Sequence, residues 1–151
     1  MQGEEANTLL PDFIEKCQGH NLKVTPQRMA IYRELLDSKA HPTVDAMFQT
    51  VKIKFPNISY DTVSRTMLTF SEIGIVDLVE VYGGAKRFDP NVSNHHHLHC
   101  VSCGKIFDFQ NDEYNNLDTP DEIQQRFTVL ASRVVLKGIC EQCRNPGNVS
   151  P

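Results

Sequence analysis

Four of the five cysteines fall in two C-x-x-C pairs, Cys100 with Cys103 and Cys140 with Cys143, with 36 residues between the pairs. Each pair can bring two thiolates to one ion from a single turn, and two pairs complete a tetrahedral four-thiolate zinc site. Gly104 follows the first pair and Gly138 precedes the second, as tight turns near a metal would require. The competing chemistry is dithiol redox, which needs one pair at a helix start rather than two pairs flanking strands. Four ligands close the coordination sphere, so a zinc held here folds the chain rather than catalyses. Cys17 sits alone in a helical pattern with Leu9, Leu10, Phe13 and Ile14 and reads as a small buried apolar residue.

The histidines form a second cluster. Four of the six stand at 95, 96, 97 and 99. In an extended segment His95, His97 and His99 share one face, while His96, Leu98 and Cys100 share the other. Two imidazoles two residues apart can converge on one divalent ion. Asp89 and Asp108 are the carboxylates that distant parts of the chain could bring to it.

The elements that must position these groups change period part-way along. A first helix starts near Asn7 or Thr8 and runs to Gly19, which can end it in a left-handed conformation. Thr25-Pro26 is a cap followed by proline at the first helical position, with Ile31, Leu35 and Leu36 on the apolar side. Thr43 caps a third helix that carries Val44, Met47, Phe48, Val51 and Phe55 up to Pro56. Ser59 caps a fourth, with Val63, Met67, Phe70 and Ile73 as its stripe and Gly74 as its stop. Ile75–Tyr82 and Ala85–Asp89 then alternate around Gly83-Gly84 and predict a hairpin. Helices followed by a hairpin are the winged-helix arrangement, in which the last helix enters the major groove.

Residues 90–94 are turn-rich and predict a linker. Beyond it, strands are expected at Leu98–Val101, Lys105–Phe109 and Thr128–Ile139, with a helix opened by Thr119-Pro120 and ending near Phe127. This small second domain is of a size at which an apolar core alone is marginal, and the paired cysteines lie inside it.

The totals agree with such a protein. The 151 residues make one ordinary domain or two small ones, and no run of about 18 apolar residues exists to span a membrane. The N-terminus is acidic and unlike a secretory signal, so a cytoplasmic location is expected. Net charge is −4, but between Lys16 and Arg65 eight Lys and Arg face four Asp and Glu, a local balance of +4. Only nearby charges act on phosphates through physiological salt, so the local balance is the relevant one.

Taken together, the chain resembles the ferric uptake regulator family. The resemblance rests on Val24-Thr25-Pro26-Gln27-Arg28, Ala40-His41-Pro42-Thr43-Val44-Asp45 and Phe55-Pro56-Asn57-Ile58-Ser59. It continues through Ile73-Gly74-Ile75-Val76, Arg87-Phe88-Asp89, the His95-to-Gly104 run and Gly138-Ile139-Cys140 with Cys143, in family order over roughly residues 10–144. It implies an α+β fold: an N-terminal winged-helix DNA-binding domain, 1–89, a hinge, 90–94, and a small α/β dimerisation domain, 95–151, with a four-cysteine zinc site. It further implies a homodimeric repressor on palindromic operator DNA, with no membrane, no small organic substrate and no turnover of its own.

By motif, the regulatory ligands are His41, Asp89, His95, His97 and Asp108, a set without thiolates that suits Fe(II) or Mn(II). A metal gripping all five would fix the DNA-reading heads at one angle, and its loss would let them swing. Asp rather than Glu at position 108, with Arg87-Phe88-Asp89, is similar to the peroxide-sensing branch. There Fe(II) and hydrogen peroxide add oxygen to a ligand histidine, and His41 and His95 would be the targets. The alternative is an iron-level sensor without peroxide chemistry. Readings outside the family are a dithiol oxidoreductase, which predicts no zinc, and a zinc-ribbon module without DNA specificity.

Some family members carry a further metal site, for which this chain offers Asn94, His96, Asn115 and Arg133. Arg133 cannot bind a metal, so that site is expected to be missing. The recognition helix begins Tyr60-Asp61-Thr62-Val63-Ser64-Arg65-Thr66, and Tyr60, Thr62, Ser64 and Arg65 are the DNA-contact candidates. Ser64 stands where the family usually has Tyr, which points to an altered operator preference. His99 replaces a usual aliphatic residue and reads as a satisfied strand histidine or a spare ligand beside Cys100.

Overall fold

The computed structural model describes residues 2–79 and 84–148 and divides the chain into two compact units, Met1–Val92 and Ser93–Pro151.

The first unit opens with four helices: α1 (Gln2–Gly19), α2 (Pro26–Asp37), α3 (Val44–Lys54) and α4 (Tyr60–Glu72). Three start where a hydroxyl can cap them. Thr25 Oγ1 accepts from Arg28 N at 3.2 Å, Thr43 Oγ1 from Ala46 N at 3.1 Å, and Ser59 Oγ from Thr62 N at 3.0 Å. Each bond satisfies a backbone donor that the helix itself cannot. At the far end of α4, Gly74 is the stop expected of it, and it takes the left-handed φ of +78.

Two expectations for α1 are corrected. It starts at Gln2, not near Asn7 or Thr8, and Pro11 lies inside it. Glu4, Glu5 and Ala6 are good helix formers, and acidic groups suit a helix N-terminus, so propensity extends the helix without an apolar stripe to announce it. Nor is Gly19 left-handed. That conformation falls on Asn21, at φ 55, just past the helix.

The helices meet on Phe13, which stacks on Tyr32 with centroids 4.1 Å apart and meets Phe70 edge-on at 5.4 Å. Ile31, Leu35, Val51, Val63, Met67 and Val76 close the same core. Phe70→Ala is expected to cost about 3–5 kcal/mol, the range for emptying a packed aromatic site. Urea unfolding checks this as a lower midpoint at unchanged slope.

After α4 come β1 (Asp77–Val79) and β2 (Arg87–Asp89), paired antiparallel with Asp77 opposite Asp89 and Leu78 opposite Phe88. Three helices and a hairpin behind α1 make the winged-helix arrangement. The strands expected over Ile75–Tyr82 and Ala85–Asp89 are shorter than anticipated: Ile75 and Val76 bend before β1, and Ala85 and Lys86 precede β2 outside the ladder. Residues 80–83, with part of the Gly83-Gly84 turn, lie outside the described residues.

The second unit holds a three-stranded sheet in the order β4-β3-β5, from β3 (His96–Cys100), β4 (Ile106–Phe109) and β5 (Val135–Gly138). β3 runs antiparallel to β4 and parallel to β5. Short helices α5 (Asp112–Asn115), α6 (Asp121–Arg126) and α7 (Glu141–Arg144) flank it. The strand expected over Thr128–Ile139 shrinks to Val135–Gly138, because β-prone residues form a ladder only where an edge is there to meet them. Pro120 rather than Thr119 occupies the cap position of α6, without a side-chain cap bond. Gly104 turns at φ +76 as expected, whereas Gly138 ends β5 instead of making a turn.

Candidate metal centres and DNA-facing helix

β3 sets out the chemistry of the second unit by alternation. Cys100 ends the strand, its N–H donating to Lys105 O at 3.0 Å, and the Gly104 N–H returns to Cys100 O at 2.9 Å. This tight loop carries Cys103. The second pair straddles the start of α7, with Cys140 at its cap position and Cys143 inside its single turn. The Sγ atoms of Cys100, Cys103, Cys140 and Cys143 all lie within 4.8 Å of one another, and Cys103 and Cys140 approach to 3.8 Å. A tetrahedron with zinc–sulfur bonds of about 2.3 Å has edges of about 3.8 Å, so the donor set fits zinc in both chemistry and size.

The cluster's protonation shows what a cation would relieve. Backbone N–H groups of Cys103 and Cys140 hold the Cys100 thiol down, to about 6, against the opposing effect of burial. The Cys140 N–H lies 3.3 Å from the Cys100 sulfur. At Cys143 the Ser102 hydroxyl pulls the thiol down. Hydrogen bonds shared with Cys140, Cys103 and Cys100, together with burial, outweigh it and push the thiol up to about 11. Four sulfurs this close cannot all ionise without a compensating positive charge.

On the opposite alternation of the strand, His95 Nε2 and His97 Nε2 come within 3.1 Å. Asp108, opposite His97 on β4, brings Oδ1 to 3.2 Å from His97 Nε2 and 3.7 Å from His95 Nε2. The His95 Nδ1–H donates to Ser93 O at 2.6 Å, and since a carbonyl only accepts, the Nε2 lone pair is left facing the cluster. Two ring nitrogens and a carboxylate oxygen converging this closely suit a divalent cation. In the first unit, His41 Nε2 stands 3.3 Å from Asp89 Oδ2, and Asp89 Oδ1 accepts the Asn91 N–H at 2.9 Å. Of the five residues named from the sequence, His41 and Asp89 adjoin within the first unit, and His95, His97 and Asp108 within the second.

On α4, Arg65 and Tyr60 are exposed, and Arg65 Nε pairs with Asp61 Oδ2 at 3.0 Å. Tyr60 meets Phe48 edge-on at 5.6 Å. Thr62 Oγ1 is engaged with the capping Ser59 Oγ at 2.8 Å, and Ser64 is half-buried. The Asp61 pairing was not foreseen, although the i,i+4 spacing of opposite charges is the signal that finds it.

The sequence pattern of the ferric uptake regulator family matches residues 19–137. The chain belongs to that family. It is 38% identical over 142 residues to the peroxide-responsive repressor PerR of Staphylococcus epidermidis, covering 92% of this chain and 93% of that one. Among solved structures it resembles the Helicobacter pylori ferric uptake regulator, described as having three functional metal-binding sites. That likeness has a TM-score of 0.73 at 19% identity over 92% and 93% of the two chains, and it speaks for the fold. PerR from Streptococcus pyogenes matches at TM-score 0.50 and 25% identity, over 87% of this chain and 90% of that one.

Asn94, His96 and Asn115, the residues the sequence offers for a further metal, are joined here in a hydrogen-bonded network. The Val134 N–H donates to His96 Nδ1 at 3.0 Å, so Nε2 carries the proton and donates to Asn115 Oδ1 at 2.8 Å. Asn94 Nδ2 donates to the same oxygen at 3.1 Å, and Phe109 and Tyr114 pack on the ring. Both nitrogens of His96 are already engaged, and an ion would have to displace a backbone donor. We expect at most two tightly held metals per chain; elemental analysis giving three would contradict this. His99 lies between Ile106 and Lys137 on the sheet and belongs to neither ligand cluster among the described residues.

Proposed function

We propose that this chain is a metal-dependent transcriptional repressor of the peroxide-sensing kind, acting as a homodimer on palindromic operator DNA in the cytoplasm. The observation that carries the reading is the likeness to PerR along nearly the whole of both chains. Cys100, Cys103, Cys140 and Cys143 hold a structural zinc. His41, Asp89, His95, His97 and Asp108 are the ligands of a regulatory Fe(II) or Mn(II). No helix among the described residues is long and apolar enough to cross a membrane. The chain has no turnover of its own, because any peroxide chemistry modifies the protein itself.

The dimer has physical support in the second unit. Phe127, Leu130 and Ile139 are 60%, 92% and 58% exposed, and the stretch before β5 makes no ladder among the described residues. Apolar groups so exposed on a small unit favour a second copy. For DNA, α4 presents Tyr60, Thr62, Ser64 and Arg65. Arg65→Ala is expected to weaken operator binding by about 1–3 kcal/mol if the guanidinium reads a base edge. Unchanged affinity in a titration of labelled operator removes Arg65 from the contacts.

Bound Fe(II) would mediate cleavage of the peroxide O–O bond, with one oxygen going to a ring carbon of a ligand imidazole, which gives up the two electrons and its C–H proton, and the other leaving as water. The test is peptide mass spectrometry after anaerobic Fe(II) loading and a brief pulse of dilute hydrogen peroxide, with Mn(II) protein as control. One added oxygen on the His41 or His95 peptide, in the iron form alone, is expected. Its absence, with operator binding that follows free iron, would make the protein an iron-level sensor.

A further inference from the structure

The backbone at His41 is unusual. Its φ is +50, a left-handed conformation that non-glycine residues avoid, and Pro42 follows it. Such a conformation persists only where the surroundings over-determine it. Here they do so from one strand. The Phe88 N–H donates to Pro42 O at 3.1 Å, and Thr43 forms a backbone bridge with Arg87. Arg87 Nη1 donates to two consecutive carbonyls, Ala40 O at 3.2 Å and His41 O at 3.4 Å.

Arg87 and Asp89 alternate with the buried Phe88 and so share a face of β2. That face holds residue 41 at both ends. Arg87 takes its main-chain oxygen, and Asp89 faces its imidazole at 3.3 Å. We propose that Arg87 is a positioning residue for His41: it clamps the strained loop so that the imidazole is presented to the regulatory metal without a cost in ordering. The inference rests on His41 being a metal ligand. Arg87 borders an open concavity whose walls include Glu34 and Asp37, so changing it removes little packing from the core.

The experiment uses the full chain with its zinc in place, titrated anaerobically with Mn(II) while free Mn(II) is read by electron paramagnetic resonance. Arg87→Met keeps the aliphatic stem and removes the donors. It is expected to weaken Mn(II) binding roughly 10–100-fold, the range for losing a partner that orients a ligand. Arg87→Lys, which keeps a donor, should recover part of the loss. In a His41→Ala background, Arg87→Met should change nothing further, an outcome that a general structural role would not give. Wild-type affinity in Arg87→Met, or an undiminished loss in the His41→Ala background, overturns the proposal. Wild-type protein that binds no Mn(II) overturns the functional reading, and this inference with it.

Discussion

Cys143→Ser unfolds the second unit and abolishes zinc retention, while the helices of the first unit stay folded. The expectation follows from how little else holds Ser93–Pro151 together. Its buried apolar residues among those described are Cys100 and Ile106 alone, whereas the first unit closes on an aromatic and aliphatic core. Structural zinc contributes about 10–16 kcal/mol in small domains at neutral pH, more than the whole stability of many of them. Hydrogen exchange localises the effect: amides of β3, β4 and β5 should lose protection and those of α2 to α4 should keep it. Protection retained in the sheet would show that zinc is dispensable. The thiols add a pH signature. Without metal, the depressed Cys100 contributes stability that is full above its ordinary value of 9.0 and is lost as pH falls through about 6. The raised Cys143 contributes stability that is full below 9.0 and is lost as pH rises through about 11. At neutral pH zinc must therefore displace the Cys143 proton, and calorimetry in buffers of different ionisation enthalpy should register its release.

The second large effect is expected from His97→Ala. Operator binding should lose its dependence on Mn(II), while zinc content and the melting of the first unit stay as they were. His97 Nε2 lies within 3.2 Å of both His95 Nε2 and Asp108 Oδ1, so it is the middle member of the cluster. Removing it leaves only two donors in this cluster, His95 Nε2 and Asp108 Oδ1, whose own approach is 3.7 Å. A metal biases a conformational equilibrium only by its differential affinity for the two states. With fewer ligands that differential shrinks, and so does the shift in DNA affinity. Metal-dependent binding that survives in His97→Ala would remove this residue from the regulatory set.

How much of this was legible in the sequence depends on whether the signal was local. Thr25, Thr43 and Ser59 each declare a helix start, because a cap bond spans only three residues and its partners are neighbours in the chain. The two C-x-x-C pairs were equally plain, since metal spacing leaves few other uses. The start of α1 was not legible. Residues 2–6 are polar and carry no period, and Pro11 invites a later start that would leave it in the first turn. The short helices α5 and α7 escaped for a related reason: one turn is too little to show a stripe. The long strand expected at 128–139 failed because β-propensity says nothing about where a partner edge lies. The clamp of Arg87 on Ala40 and His41 joins positions far apart in the chain, and no spacing rule reaches across such a gap.

The histidine run holds an ambiguity that the fold resolves. His95 and His97 form a pair two residues apart, but so do His97 and His99, and a two-residue slide of β3 along β4 would offer the second pair to Asp108 in place of the first. Alternation cannot forbid that slide, because every side chain keeps its face. Cys100 can. A slide of two residues carries it about 6.6 Å along the strand, beyond the reach of any bond to a metal shared with Cys140 and Cys143. The sulfur cluster thus serves as the vernier stop of a graduated scale, and it selects which two of several equivalent marks are read.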